Sequence, residues 1–140
     1  MPTFVRYYIK TALIYFLLSL LIGVLLLAVP VFELSSTLIL DLPTYLHLFV
    51  VGWITQLIFG VSIWMFPAPD HGGRYGYEKL VWAIYLTLNA GLLLRLIAEP
   101  GTRVVQDSLF LNWMLIISAL LQWSAGLLYS LHIWGRVKGK

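Results

Sequence analysis

Residues 11–32 read TALIYFLLSLLIGVLLLAVPVF, an unbroken run without a single charge. A helix crossing the roughly 30 Å hydrocarbon core of a bilayer needs about 20 apolar residues, and this run is long enough. Three more runs of the same kind follow: Leu42 to Pro69, Leu80 to Leu94, and Ser108 to Gly135. The third reaches spanning length, as Leu80 to Ala98, once Arg95 is allowed to extend its charged head toward the membrane edge. The expected fold is therefore an all-α, four-helix transmembrane bundle with short loops. It forms a single domain over residues 1–140, with helices over about 9–33, 42–67, 78–99 and 108–135.

The composition agrees. The chain is 61% hydrophobic and 11% charged, whereas a soluble domain carries about a quarter charged residues. Nothing is left over for a soluble domain. The first run lacks a small-residue cleavage site and ends on Pro30, Val31, Phe32 and Glu33, so it reads as a retained span, not a removable leader. With no cysteine, thiolate metal sites, iron–sulfur clusters and disulfides are excluded.

Orientation follows from the cations. Arg6 and Lys10 precede the first helix, Arg74 and Lys79 lie in the second connection, and Arg136, Lys138 and Lys140 follow the fourth. The other side carries Glu33, Asp41, Glu99 and Asp107, with Arg103 and Arg95. The positive-inside bias then puts both termini in the cytoplasm. It also accounts for the net charge of +3 without invoking nucleic acid. Tyr7, Tyr8, Tyr75, Tyr77, Trp64, Trp82, Trp113 and Trp134 fall near helix ends, where interfacial aromatics belong. Pro67, Pro69, Gly72, Gly73, Pro100 and Gly101 read as helix stops and turns. The expected location is a cytoplasmic membrane of bacterial or archaeal type, with the lipid bilayer as the first partner.

Polar side chains inside a membrane are functional candidates by default. His47 lies about one turn below the outer end of the second helix, and a neutral imidazole is a good axial ligand for haem iron. Gly52 and Gly60, with Gln56 between them, leave room for a neighbouring helix or a flat ligand. Arg95 and Glu99 sit one turn apart at the same level. They read either as an end-of-helix ion pair or, with Arg95 turned inward, as a receiver for an anion such as a haem propionate. Asn89 adds a buried polar group suited to bonding across helices. His132 falls near the cytoplasmic end of the fourth helix, about 36 Å along the axis from Ser108 at roughly 1.5 Å per residue. It cannot share an iron with His47 of the same chain. His132 and His71 are the less favoured metal candidates, the first interfacial and the second in a Gly-rich loop beside Asp70. There is no phosphate-binding loop and no catalytic Ser/His/Asp set. No pair of membrane-centre acids points to a proton-coupled transporter.

The stretch His47, Gly52-Trp53, Ile58-Phe59-Gly60, Phe66-Pro67 resembles the second helix of subunit I of haem-copper oxidases and nitric oxide reductases. The likeness covers that helix, and more faintly Asn89 to Pro100 and Trp123 to Arg136. The spacing from the histidine to Gly-Trp varies in that superfamily. Its core subunit is built of pseudo-repeats of four helices, so this chain looks like one repeat standing alone. The resemblance implies haem b ligated by His47 between copies of the chain, a dimer or trimer, with Arg95 on a propionate. It carries Gly52, Gly60, Asn89 and Gln56 along as lining of the cofactor site. One departure matters. The oxidase centre needs three histidines for copper and another for haem, and this chain has three in all, at different depths. Copper and oxygen reduction are therefore not expected. What the resemblance implies is b-type haem electron transfer, or sensing of haem or a gas, with the redox partner undefined. The alternative is a cofactor-free scaffold or accessory subunit of a respiratory complex, in which the same polar groups bond helix to helix. A small transporter or channel is a third reading, with nothing in the helix cores to name a substrate.

Overall fold

The computed structural model describes residues 1–32, 41–67, 73, 75–105 and 107–137. Four long helices make up the fold: α1 (Thr3–Val31), α2 (Leu42–Met65), α3 (Glu78–Val104) and α4 (Leu109–Trp134). At about 1.5 Å per residue each is longer than the roughly 30 Å hydrocarbon core. All four are long and apolar enough to cross a membrane. Large apolar side chains such as Leu17, Leu21, Leu27, Phe110, Leu120, Trp123 and Leu131 point outward. That is the reverse of a soluble bundle, and it suits a lipid solvent. Several serines and threonines within the spans find a partner in their own helix. Thr11, Ser19, Thr87, Ser124 and Ser130 each donate to a backbone carbonyl about one turn back in their own helix, the local bond open to short hydroxyl side chains.

Two helix starts follow side-chain chemistry. Asp41 caps α2 by accepting from Thr44 N at 3.2 Å, and Ser108 caps α4. Two boundaries differ from the sequence expectation. The first helix starts at Thr3 and takes in Arg6 and Lys10. Pro100 and Gly101 do not stop the third, which runs on to Val104. A proline removes only its own N–H bond, and nearby hydroxyls can serve backbone groups at such sites in membrane helices.

α2 is not a uniform helix. It is α-helical over Leu42–Leu46, widens into a π-helix over His47–Thr55, and returns to α-helix over Gln56–Met65. π-helical turns are rare and often accompany functional sites.

The helices pack through glycines and tyrosines. A Cβ built on Gly60 would lie 2.6 Å from Tyr8 Cβ, and one on Gly52 would lie 2.9 Å from Tyr15 and Leu92. α1 thus approaches α2 where α2 has no side chain. Tyr8 is buried, with its hydroxyl donating to Val81 O at 2.9 Å; it is a core residue, not the interfacial aromatic expected. Gly91 brings α3 close to Ser118 and Gln122 of α4. Two apolar clusters result. The larger surrounds Phe4, Tyr8, Phe59, Ile63, Ile84 and Leu88 near the termini, and the smaller joins Tyr15, Leu48 and Leu92 toward the other end.

The end carrying both termini is closed by Arg136, only 2% exposed. Its guanidinium donates to the carbonyls of Ile63, Phe66 and Pro67, each at 2.9 Å. Ile63 O is one of the carbonyls a helix C-terminus leaves unpaired, and Phe66 and Pro67 follow the helix end. Burial lowers the Arg136 pKa from its ordinary value. Arg136, one of the cations that sets the expected orientation, is here a clamp between α4 and the end of α2. Beside α2, Phe59 stacks on Tyr129 of α4 at 3.7 Å.

Candidate functional site

At the end opposite the termini, α2, α3 and α4 each contribute to one polar network. Arg95 is not extended along the helix surface toward the membrane edge. Its side chain is 18% exposed, and Nη1 lies 3.2 Å from His47 Nε2 and 3.1 Å from Glu99 Oε1. Nε of the same guanidinium donates to Ser118 Oγ at 3.2 Å. Ser118 donates in turn to Gly91 O at 2.6 Å and accepts from Gln122 Nε2 at 3.1 Å. The second Glu99 oxygen accepts from Thr44 Oγ1 at 3.2 Å. Toward the helix ends, Arg103 Nε stands 3.8 Å from Asp41.

The partners fix the state of His47. Nδ1 lies 2.8 Å from Pro43 O and 3.1 Å from Glu99 Oε1, and both can only accept. Nδ1 therefore carries the ring proton, by inference from the network. Nε2 is left with its lone pair, which takes a hydrogen bond from Arg95. With a neutral imidazole, one guanidinium and one carboxylate, the network has no net charge. That lowers its cost in a poorly polar surrounding. The imidazole remains 29% exposed, against 10% for the Glu99 carboxylate. It is the most open member of the His47–Glu99 pair.

The structure thus brings His47, Arg95 and Glu99 together. It places the other expected residues elsewhere. Gln56 donates through Nε2 to Tyr8 O at 3.3 Å and to the Thr11 hydroxyl. Its Oε1 is the buried side-chain atom that lacks a partner among the described residues. Asn89 accepts from the Tyr15 hydroxyl at 3.0 Å. Gly52 and Gly60 face Tyr15, Leu92 and Tyr8. These four residues line the seam of α1 with α2 and α3, so the room beside Gly52 and Gly60, expected for a neighbouring helix or a flat ligand, is taken by α1. His132 lies at the termini end, against Gly76 and with Nε2 3.3 Å from Arg136 Nη1. Gly76 has φ +82, a conformation that favours glycine, and its bare Cα gives the His132 ring its place. His71 lies outside the described residues. Among the described residues no three histidine, aspartate or glutamate side chains converge on a metal position.

Sequence reasoning missed Ser118, Thr44 and the Pro43 carbonyl. Depth counting reaches Ser118 only once α3 is known to run to Val104. Ser118 lies ten residues into its helix from Ser108, about 15 Å, and Arg95 nine residues back from Val104, about 13.5 Å, at 1.5 Å per residue. Nothing in the residues announced the π-helix that opens at His47. Set against known protein families, characterised proteins and solved structures, the chain matches none.

Proposed function

We propose that the chain is a four-span integral membrane protein that holds haem b at His47, at an interface between copies of itself. The observation that carries this reading is the setting of His47. Its Nδ1 proton is held by Pro43 O, with the Glu99 carboxylate alongside. That pattern fixes the tautomer and orientation of metal-ligating histidines and leaves Nε2 for the metal. His47 would offer Nε2 to the iron, and Arg95, with a fixed fork of donors, would receive a propionate. Bound there, haem would supply a one-electron redox centre. A second imidazole nitrogen would come from His47 of another copy, because His132 belongs to the opposite end of the bundle. A symmetric pair places the same face of each copy against the other. The cation distribution sets the termini in the cytoplasm and the His47 end outside.

A cofactor-free scaffold is the second reading, and a specific observation favours it. Gln56 donates, Asn89 accepts, and Gly52 and Gly60 are filled, all within this one chain. Titration of ferric haem into the detergent-solubilised apoprotein separates the two. The haem reading expects saturation near one haem per two chains, with the particle doubling in mass, and no saturable binding in His47→Ala. The scaffold reading expects no saturable binding to the wild type, and a His47→Gln variant that loses thermal stability alone.

A further inference from the structure

We infer that Arg95 is a displaceable latch on the iron-binding nitrogen of His47, released by the ligand's own carboxylates. The inference rests on the haem reading above. Nε2 has one lone pair, and in this structure Arg95 Nη1 donates to it at 3.2 Å. Iron needs that same pair. The two uses exclude each other, so Arg95 must leave before His47 can ligate.

Three features make the arrangement a latch. First, Arg95 is held from both sides, by Glu99 Oε1 on its own helix and by Ser118 Oγ of α4. It does not drift away from the imidazole unaided. Second, neither tether is at the far end of a loose chain. Ser118 is fully buried and is itself anchored to Gly91 O at 2.6 Å, and Glu99 is fixed by Thr44. Third, an imidazole nitrogen is a neutral acceptor, whereas a carboxylate forms a charge-assisted and often bidentate pair with arginine. A ligand bringing its own carboxylate offers Arg95 the stronger partner at the moment it needs Nε2. A planar ligand without free carboxylates has no means of exchange. Selectivity for a dianionic macrocycle then comes from competition inside the apoprotein, over and above any contact in the complex.

The latch makes a prediction that a simple anchoring arginine does not. An anchor removed by mutation weakens the diacid and leaves an esterified ligand unchanged. A latch removed by mutation strengthens the ester. The experiment compares ferric haem b with its dimethyl ester, titrated into detergent-solubilised full-length wild type, Arg95→Leu and Ser118→Ala. The Soret position and low-spin bands report ligation by histidine. In the wild type the ester binds at least about tenfold more weakly than the diacid, equivalent to about 1.4 kcal/mol. In Arg95→Leu the ester gains about tenfold over its wild-type affinity, with the histidine-ligated spectrum retained. Ser118→Ala keeps the cation but loosens one tether, and the ester gains a smaller factor. Should Arg95→Leu fail to fold, Ser118→Ala decides. Unchanged ester affinity in the folded variants, or equal affinities for ester and diacid in the wild type, overturns the latch and leaves the haem site standing. No binding of either ligand to any of the three proteins overturns the haem reading and the latch with it.

Discussion

Glu99→Leu is expected to destabilise the folded bundle by about 3 kcal/mol, the lower end of the cost of removing one partner from a buried ion pair. The carboxylate serves Arg95 and Thr44 by hydrogen bonds and lies 3.1 Å from His47 Nδ1. Leucine fills a similar volume and can serve none of them. Arg95 would keep its charge, because a guanidinium does not give up its proton in proteins. It would be left with a neutral imidazole and a serine hydroxyl as partners. The reverse change, Arg95→Leu, should cost less, since the Glu99 carboxylate keeps the Thr44 hydroxyl as a partner. The double variant Arg95→Leu/Glu99→Leu should recover part of the loss, because it leaves no unpaired charge. Thermal unfolding in detergent, run as a double-mutant cycle, measures the coupling directly. A Glu99→Leu cost below about 1 kcal/mol, the range of exposed pairs, would show that solvent screens this network.

The second large effect is steric. Gly60→Ala should cost about 2 kcal/mol, within the range for overpacking a close-packed core. The new methyl would sit 2.6 Å from Tyr8 Cβ. Tyr8 has little freedom to yield. Its hydroxyl is tied to Val81 O, and its ring lies 5.0 Å from that of Tyr85. Gly126→Ala is the matched control, since nothing lies within 4 Å of a Cβ there. Alanine is the better helix former by about 1 kcal/mol, so this variant should unfold no earlier than the wild type. Equal melting temperatures for the two variants would mean that α1 does not press on α2 at Gly60.

The four spans were legible because a bilayer imposes length and apolarity on any helix that crosses it. Uncharged runs such as Thr11 to Phe32 need no packing information to be recognised. The meeting of His47, Arg95 and Glu99 was also within reach, since residues at equal depth on antiparallel neighbours can touch. What depth counting cannot give is rotation about the helix axis. Gly52, Gly60, Gln56 and Asn89 share the interior with His47, yet they face α1, and only packing decides that. The π-helix from His47 to Thr55 changes the residue-to-angle relation within α2, which defeats any helical wheel drawn with one period. Arg136 illustrates a different limit. A terminal arginine is normally a solvated charge, and its capture by Ile63, Phe66 and Pro67 depends on two distant helix ends coming together. Pro100 does not stop the third helix, because a proline removes one N–H bond and a membrane helix can run on past it.

The most direct test of haem at His47 is the absorption spectrum of the protein purified from haem-replete cells, recorded oxidised and dithionite-reduced beside His47→Ala. Haem ligated by His47 gives a Soret band and a sharp reduced α-band in the wild type, both lost in a variant that still folds. A colourless wild-type preparation, or a spectrum that survives His47→Ala unchanged, would contradict it.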